Sequence, residues 1–411
     1  MTKLTVVRCI PERNRLSTQE ILKNFEQHNW VYLSPPKEKR KFAASSPLPE
    51  GEGIVITSGG STGRNNICFQ SIKNLTISAL ATGKWLKDYG LEPKECIILN
   101  SLPLHHVSGF MPWWRHRTWG SQHHWISHSM MHEPIRLYEF SKVLTNKYRR
   151  SLITSLVPTQ LISLIDNHYG LKWLKSLSVI WVGGSSMPAD LTDKARKESI
   201  NLAPCYGATE TAAMVTCLSP KDFLKGTNSV GFPLEDVEIR INNSNSLKIK
   251  AKRIAISKWQ NNKLELITDS NGWWESGDLA QYVTLNNKKA LQILGRKDSA
   301  INSGGETVFP EDIEMKLMKI ILKNQIPIKE IFVLGVSDQK WGQRLVTLIR
   351  FQEQEINKFQ IISLLTQLIK DWQPSKKPIN WYDCPKLSRN TNAKWEVNKW
   401  QHWVDLNTPM N

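Results

Sequence analysis

The chain has 411 residues, of which 40% are hydrophobic and 22% charged, a globular composition that excludes a wholly disordered or fibrous protein. At about 150 residues per domain, that length predicts two or three domains. Lys plus Arg number 54 against 37 Asp plus Glu, a net charge of +17, yet the basic residues are dispersed, as in Lys37–Lys41 and Lys248–Arg253. Small anionic partners are therefore expected, and no nucleic acid.

The N-terminal stretch Met1–Ile10 is broken by Arg8 and carries no small-residue cleavage site, so no signal peptide is expected and the cytoplasm is the predicted location. Residues 1–50 are polar and punctuated by proline, with a helix expected at Thr18–Gln27. A strand at Gly53–Thr57 leads into a glycine-rich turn and a helix near Ser71–Tyr89. Cys96–Asn100 and Ser151–Val157 read as strands, and Pro158 opens a helix over Thr159–Asn167. Leu177–Val182 is a further strand ending at Gly183-Gly184, with a helix from about Pro188 and another strand at Leu202–Tyr206. Strands alternating with helices predict a parallel sheet whose strand-end loops hold ligand. From about residue 230 shorter strands take over, including Val237–Ile241 and Leu264–Thr268. Beyond Gly295-Arg296 a helix at Glu311–Leu322, strands at Glu330–Val336 and Leu345–Phe351, and a long helix at Lys358–Trp372 predict a small α+β unit. No stretch reaches the ~18 apolar residues of a membrane helix, so no membrane insertion is expected. The six cysteines show no C-x-x-C spacing, which argues against a zinc site or disulfide framework.

Chemistry concentrates at strand ends. Thr57-Ser-Gly-Gly-Ser-Thr-Gly63 sets three glycines and four hydroxyl residues directly after a strand, a loop whose N–H groups can curl around phosphate. It lacks the Lys-[Ser/Thr] ending of a Walker loop. Leu102-Pro-Leu-His-His-Val-Ser-Gly109 follows a second strand, and Tyr206-Gly-Ala-Thr-Glu210 a third, where Thr209 can donate to phosphate and Glu210 offers Mg²⁺ a hard oxygen. Glu275-Ser-Gly-Asp278, then Gly295-Arg-Lys-Asp-Ser-Ala-Ile-Asn-Ser-Gly-Gly-Glu306, and finally Leu387-Ser-Arg-Asn-Thr-Asn-Ala-Lys394 complete the series.

In this order the motifs resemble those of the acyl/aryl-CoA synthetase and adenylate-forming ligase superfamily, over about residues 50–400. The resemblance implies an α/β fold, with a large N-terminal adenylate-forming domain (1–295) of parallel sheets and helices and a small mobile C-terminal α+β domain (296–411). It also implies a two-step reaction using ATP, Mg²⁺ and CoA: a small-molecule carboxylic acid forms an acyl-adenylate, then a thioester. By the same resemblance Ser58, Gly59, Gly60, Ser61, Thr62 and Gly63 surround the β,γ-phosphates, and Gly183, Gly184 and Ser185 run along the adenine. Tyr206 stacks on that ring, with Gly207 beside it. Thr209 and Glu210 serve phosphate and Mg²⁺, and Asp278 with Arg296 binds the ribose hydroxyls. Asp298 is the hinge, Gly304 and Gly305 leave room for pantetheine, and Lys394 neutralises charge on the α-phosphate. A homodimer is an open expectation.

The chain departs from the superfamily at several points. Arg64-Asn65-Asn66 replaces the common Pro-Lys after the phosphate loop, with Arg64 the candidate for the missing charge. Ala393 stands for the usual glycine before the lysine, and Ser388 for the proline of that motif. The chain is also short for the superfamily, mainly at its N-terminus. The run Leu102–Gly109 followed by Trp113-Trp114-Arg115 is most similar to the o-succinylbenzoate–CoA ligases of menaquinone or phylloquinone synthesis. In that resemblance Arg115 is the candidate partner of the acid's second carboxylate and His106 lines the acid pocket. The alternatives are a CoA ligase or adenylating enzyme for another aryl acid, and a catalytically silent nucleotide-binding homologue.

Overall fold

A computed structural model describes residues 3–38, 48–58, 66–148, 150–260, 263–352, 357–389 and 395–410. Among them the first sheet runs in the order Leu4–Arg8, Trp30–Ser34, Gly53–Ser58, Asn66–Ser71, Ser257–Gln260 and Lys263–Leu266. Its first three strands are parallel and the rest antiparallel. Its two leading strands lie inside the stretch the sequence presents as polar and irregular. Trp30–Ser34 is buried at every position, as a strand flanked on both faces must be, so it shows no alternation to betray it.

The second sheet has the order Phe232–Pro233, Ala213–Cys217, Leu202–Ala208, Val179–Val182, Ser151–Leu156, Cys96–Asn100 and Gln122–Trp125. Its five strands from Leu202–Ala208 to Gln122–Trp125 are parallel. Their C-terminal ends share one edge, which is where the strand-end motifs collect. Helix Ile72–Tyr89 is bounded by Ser71, whose Oγ accepts from the Asn74 amide at 3.2 Å, and by Gly90 at φ 98°, an N-cap and a left-handed terminator. Leu75 and Ala79 of this helix pack against the first sheet and Ala81 and Leu86 against the second, so it is shared by two cores. The far face of the second sheet is covered by helices Pro134–Tyr148, Pro158–Ile165, His168–Lys175 and Ala189–Lys197.

A third, antiparallel sheet follows (Val237–Ile241, Ser246–Ala251, Trp274–Leu285, Lys288–Arg296). Its last strand ends at Arg296, and the fourth sheet begins at Ile301. That sheet joins Glu306–Val308, Ile301–Ser303, Gly342–Phe351 and Ile328–Asp338, with Asn380–Asp383 alongside. Helices Pro310–Lys323 and Lys358–Leu368 cover one of its faces and Val397–Asp405 the other. Several boundaries expected from sequence shift by a few residues. The helix expected at Lys358–Trp372 ends at Leu368, for instance, where the chain turns towards Pro374.

Candidate functional site

The strand Val179–Val182 ends at Gly183, and Gly184 takes φ 88°, a left-handed turn that suits glycine. A Cβ on Gly183 would stand 3.1 Å from Cys205 Sγ and 3.2 Å from the Cys205 carbonyl, so these neighbouring strand ends approach closely. Gly184 and Ser185 are exposed. The adjacent strand carries half-buried Tyr206, then exposed Gly207, and turns through a single 3₁₀ turn, Thr209–Thr211. Ala212 and Ala213 leave that turn at φ 50° and 81°, strained for residues with a Cβ and so held by their surroundings.

Those surroundings are a buried polar network that the sequence motifs do not contain. Gln70 Nε2 donates to the Thr209 carbonyl at 2.7 Å, and Ser78 Oγ to the Ala212 carbonyl at 2.5 Å. Arg253, fully enclosed, donates to Ser78 Oγ and to Asp236 Oδ1 at 2.9 Å each. Asn74 Nδ2 ties Gln70 Oε1 to the Ile254 carbonyl, and the Ala255 amide donates to the Glu210 carbonyl at 2.7 Å. The turn bearing Thr209 and Glu210 is thus fixed through its backbone, leaving its side chains for other partners. The one signal of this in the sequence is the i, i+4, i+8 spacing of Asn74, Ser78 and Thr82, polar residues on a buried helix face.

Tyr206, Asp278 and Arg296 meet at the same edge. Asp278 and Arg296 are direct cross-strand partners in the third sheet. The Tyr206 hydroxyl donates to Asp278 Oδ2, and Arg296 Nη1 lies 3.4 Å from Asp278 Oδ1. Burial raises the Asp278 carboxyl above its ordinary range, opposed by Tyr206 and Arg296. Burial, and then the Asp278 charge, push the Tyr206 phenol well up, so it stays a donor. Arg296 is also gripped by Asp298, with Nε–Oδ1 at 3.1 Å and Nη2–Oδ2 at 3.2 Å, a bidentate geometry. Asp298 thereby joins this cluster, between the last strand of the third sheet and the first of the fourth.

Other expected residues lie further off. Gly304 and Gly305 form a tight turn at φ 62° and 86°, with Gly304 against the Trp341 ring and open space beside Gly305. His106 caps helix Val107–Trp119, its ring centroid 4.3 Å from that of His105. Burial, and then the His106 charge, lower His105 to about 4, and its Nδ1 is buried without a partner. Arg115 is 2% exposed and stacks 5.1 Å from the Trp181 centroid, whereas Trp113 and Trp114 pack into a different core. Its Nε and Nη2 have no hydrogen-bond partner, and burial brings it down to about 10. The two tryptophans beside it in sequence are therefore not its wall; Trp181 is. The Ser58 side chain, Gly59–Gly63, Arg64 and Lys394 lie outside the described residues.

Among the described residues no group of three or more His, Cys, Asp or Glu side chains could hold a metal, and no helix is long and apolar enough to cross a membrane. A half-buried carboxylate at Glu210 fits Mg²⁺, which takes one or two carboxylates with substrate phosphates.

The sequence model of the family described as "AMP-binding enzyme" matches residues 3–253. The chain belongs to the AMP-binding enzyme family. Within the family it is 29% identical over 307 residues to the 2-succinylbenzoate–CoA ligase of Escherichia coli K12, covering 74% of this chain and 60% of that protein. It is 30% identical over 309 residues to the enzyme of the same name from Salmonella typhimurium LT2, again covering 74% and 60%. The chain thus spans about 60% of the length of the curated relatives it matches. In fold it resembles the o-succinylbenzoate CoA synthetase of Bacillus subtilis, solved with its acyl-adenylate intermediate, at TM-score 0.72 and 18% identity over 97% of this chain and 88% of that one.

Proposed function

We propose that this AMP-binding enzyme activates a carboxylic acid with ATP to an acyl-adenylate, releasing pyrophosphate, that the thiol of CoA then displaces AMP to give the thioester, and that the acid is o-succinylbenzoate. The observation that carries the reading is the convergence of Tyr206, Asp278 and Arg296 beside the Gly183–Ser185 turn, on the strand-end edge that also presents Thr209 and Glu210. A carboxylate raised by burial is a strong acceptor for paired hydroxyls, which is what a ribose offers. On the family pattern the Tyr206 ring lies against the base, and the exposed Gly184-Ser185 turn runs along it. Glu210 would hold Mg²⁺, which would supply charge neutralisation at the phosphates, and Thr209 would donate to phosphate oxygen. The loop Ser58–Gly63 and Lys394 complete the phosphate contacts on the family pattern. Lys394 acts where negative charge develops at the α-phosphorus.

The acid is supported by the shared name of the relatives and by Arg115. Two buried N–H groups without a partner are costly, and a second substrate carboxylate is the acceptor they lack. His106 stands at the start of the helix that carries Arg115, and on the family pattern it lines the acid pocket. After adenylation the unit 296–411 turns about Asp298 and brings Gly304–Gly305 to the pantetheine arm. Six free cysteines fit work in a reducing cytoplasm. Thioester formation from ATP and CoA is to be measured with o-succinylbenzoate, 2,3-dihydroxybenzoate and benzoate. The highest kcat/KM is expected for o-succinylbenzoate. Faster turnover of benzoate would overturn the choice of acid, and no turnover or pyrophosphate exchange with any acid would overturn the activity.

A further inference from the structure

In the C-terminal unit one buried carboxylate joins two chain segments that the Lys394 motif separates. Glu314 stands on helix Pro310–Lys323 with its side chain 15% exposed. Its Oε1 accepts from Arg389 Nη2 at 3.0 Å and from Trp395 Nε1 at 3.2 Å, and its Oε2 from the Val333 amide at 3.3 Å. The Arg389 guanidinium lies over the Trp395 ring, 4.2 Å from its centroid, and its Nε reaches Glu330 Oε1 at 3.4 Å. Arg389 and Trp395 are therefore stacked on each other and share one oxygen. They bracket residues 390–394, the last of which is Lys394.

Six residues of extended chain reach about 20 Å, yet here the two ends are held in contact. Holding them so costs loop entropy, and leaving a carboxylate among apolar residues costs solvation. The charged groups acting on Glu314 are Arg389 and Glu311, one turn back on its own helix, and Arg389 in turn reaches Glu330 on strand Ile328–Asp338. Burial pushes the Glu314 carboxyl up to about 7 in spite of Arg389 and its two N–H donors. A surface ion pair would have needed none of this enclosure.

We propose that Glu314 is a positioning residue for adenylate formation: by binding Arg389 and Trp395 together it fixes both ends of the segment that carries Lys394. The inference rests on the reading of Lys394 given above. Lys394 is needed only while charge builds on the α-phosphate, so loosening its anchor should harm the first half-reaction alone.

The test compares Glu314→Ala, Glu314→Gln and Lys394→Ala in three measurements: ATP–pyrophosphate exchange, thioester formation from preformed acyl-adenylate and CoA, and the rate of tryptic cleavage after Arg389 and Lys394. For Glu314→Ala, exchange should fall roughly ten- to a hundredfold in kcat, the scale of a misplaced group, with the KM for ATP unchanged. Its thioester step should be unchanged and its tryptic cleavage faster. Glu314→Gln keeps an oxygen for Trp395 and should fall between it and the parent. Should Glu314→Ala not fold, Trp395→Phe keeps the stacked ring, removes one contact to Glu314 and should show the same split more weakly. Equal losses in both half-reactions, or unchanged exchange, would overturn the proposal, as would unchanged tryptic rates. Full exchange by Lys394→Ala would instead overturn the reading of Lys394, while the tryptic rates would still report whether Glu314 anchors the segment.

Discussion

The strand-end edge and the C-terminal unit each hold an arginine against carboxylates, and they do so in opposite ways. Arg296 is 40% exposed in its side chain and meets Asp278 and Asp298 from neighbouring positions of one hairpin and its exit. Arg389 meets Glu314 and Glu330 from a helix and a strand distant in sequence, over an enclosed carboxylate. Exposure does not separate them, since the arginines are 40% and 36% exposed and Asp278 and Glu314 14% and 15%; the open cluster lies at the strand-end edge, within one hairpin and its exit. The closed one joins Arg389 and Trp395, the two ends of a short loop, on one carboxylate. Arg115 is a third case, more enclosed than Glu314 and with two N–H groups unpaired. Similar side chains are thus proposed to receive a ligand, hold a loop or wait for a partner, according to where in the chain their partners lie and how far their donors are saturated.

The sharpest break in this comparison removes what each region is built to present. Lys394→Ala should lower the kcat of adenylate formation by about a hundredfold or more, the scale of losing one placed transition-state donor, with ATP binding unchanged. Glu210→Gln should lose comparable activity but regain part of it at raised Mg²⁺, a rescue Lys394→Ala should not show. Pyrophosphate exchange over a Mg²⁺ series separates the two, and equal rescue would sink the assignment of Glu210.

Asp298 tests whether the open cluster also turns. Proline fixes φ near −65°, so Asp298→Pro should leave adenylate formation measurable while thioester formation is largely lost. Equal loss in both half-reactions would make Asp298 a purely structural brace of Arg296.

Within the open cluster, Asp278→Asn keeps the shape and removes the charge that Arg296 and the Tyr206 hydroxyl face. A charge-assisted hydrogen bond is worth about 1.5–3 kcal/mol, so the KM for ATP should rise roughly ten- to a hundredfold with little change in Tm. An unchanged KM would mean that nucleotide lies elsewhere.

How much of this was legible in the sequence follows from the same contrast. Tyr206–Glu210, Glu275–Asp278 and Gly295–Asp298 are contiguous runs whose geometry is set within one turn or hairpin, so their residue pattern carries the site. The supports are not contiguous. Gln70 meets Thr209 across 139 residues, Ser78 meets Ala212 across 134, and Asn74 meets Ile254 across 180, and no local pattern encodes such pairs. Helix Val107–Trp119 was hidden for another reason. It contains Gly109 and Pro112, which argue against helix, yet a Cβ at Gly109 would fall 2.1 Å from the Pro103 carbonyl, so close packing demands the glycine. The strand Leu4–Arg8 pairs in register with Trp30–Ser34, and its partner is visible only once the sheet is assembled.

Arg115 separates function from stability. Arg115→Leu should shrink a preference for o-succinylbenzoate over an analogue lacking the benzoate carboxylate, which is expected to be roughly ten- to a hundredfold, while the KM for ATP stays near its parental value. Removing an enclosed charge with unpaired donors should also raise the Tm of the ligand-free protein. A loss of selectivity with a fall in Tm would mean that Arg115 is satisfied within the core.

The smallest effect lies in the closed cluster and in pH. Glu314 has its carboxyl raised by burial from an ordinary 4.5 to about 7, so between those values the folded chain holds a proton that the unfolded chain has released. Stability from this group is therefore complete below pH 4.5 and is lost as pH rises through 7, with a slope of at most ~1.4 kcal/mol per pH unit for one proton. Glu314→Gln cannot titrate. Its Tm relative to the parent should climb from pH 4.5 to 7 and level off above, in calorimetry at matched ionic strength. Burial also raises Asp278, so Asp278→Asn should show the same sign. A Glu314→Gln difference that does not vary with pH would mean that Arg389 keeps the carboxylate ionised throughout.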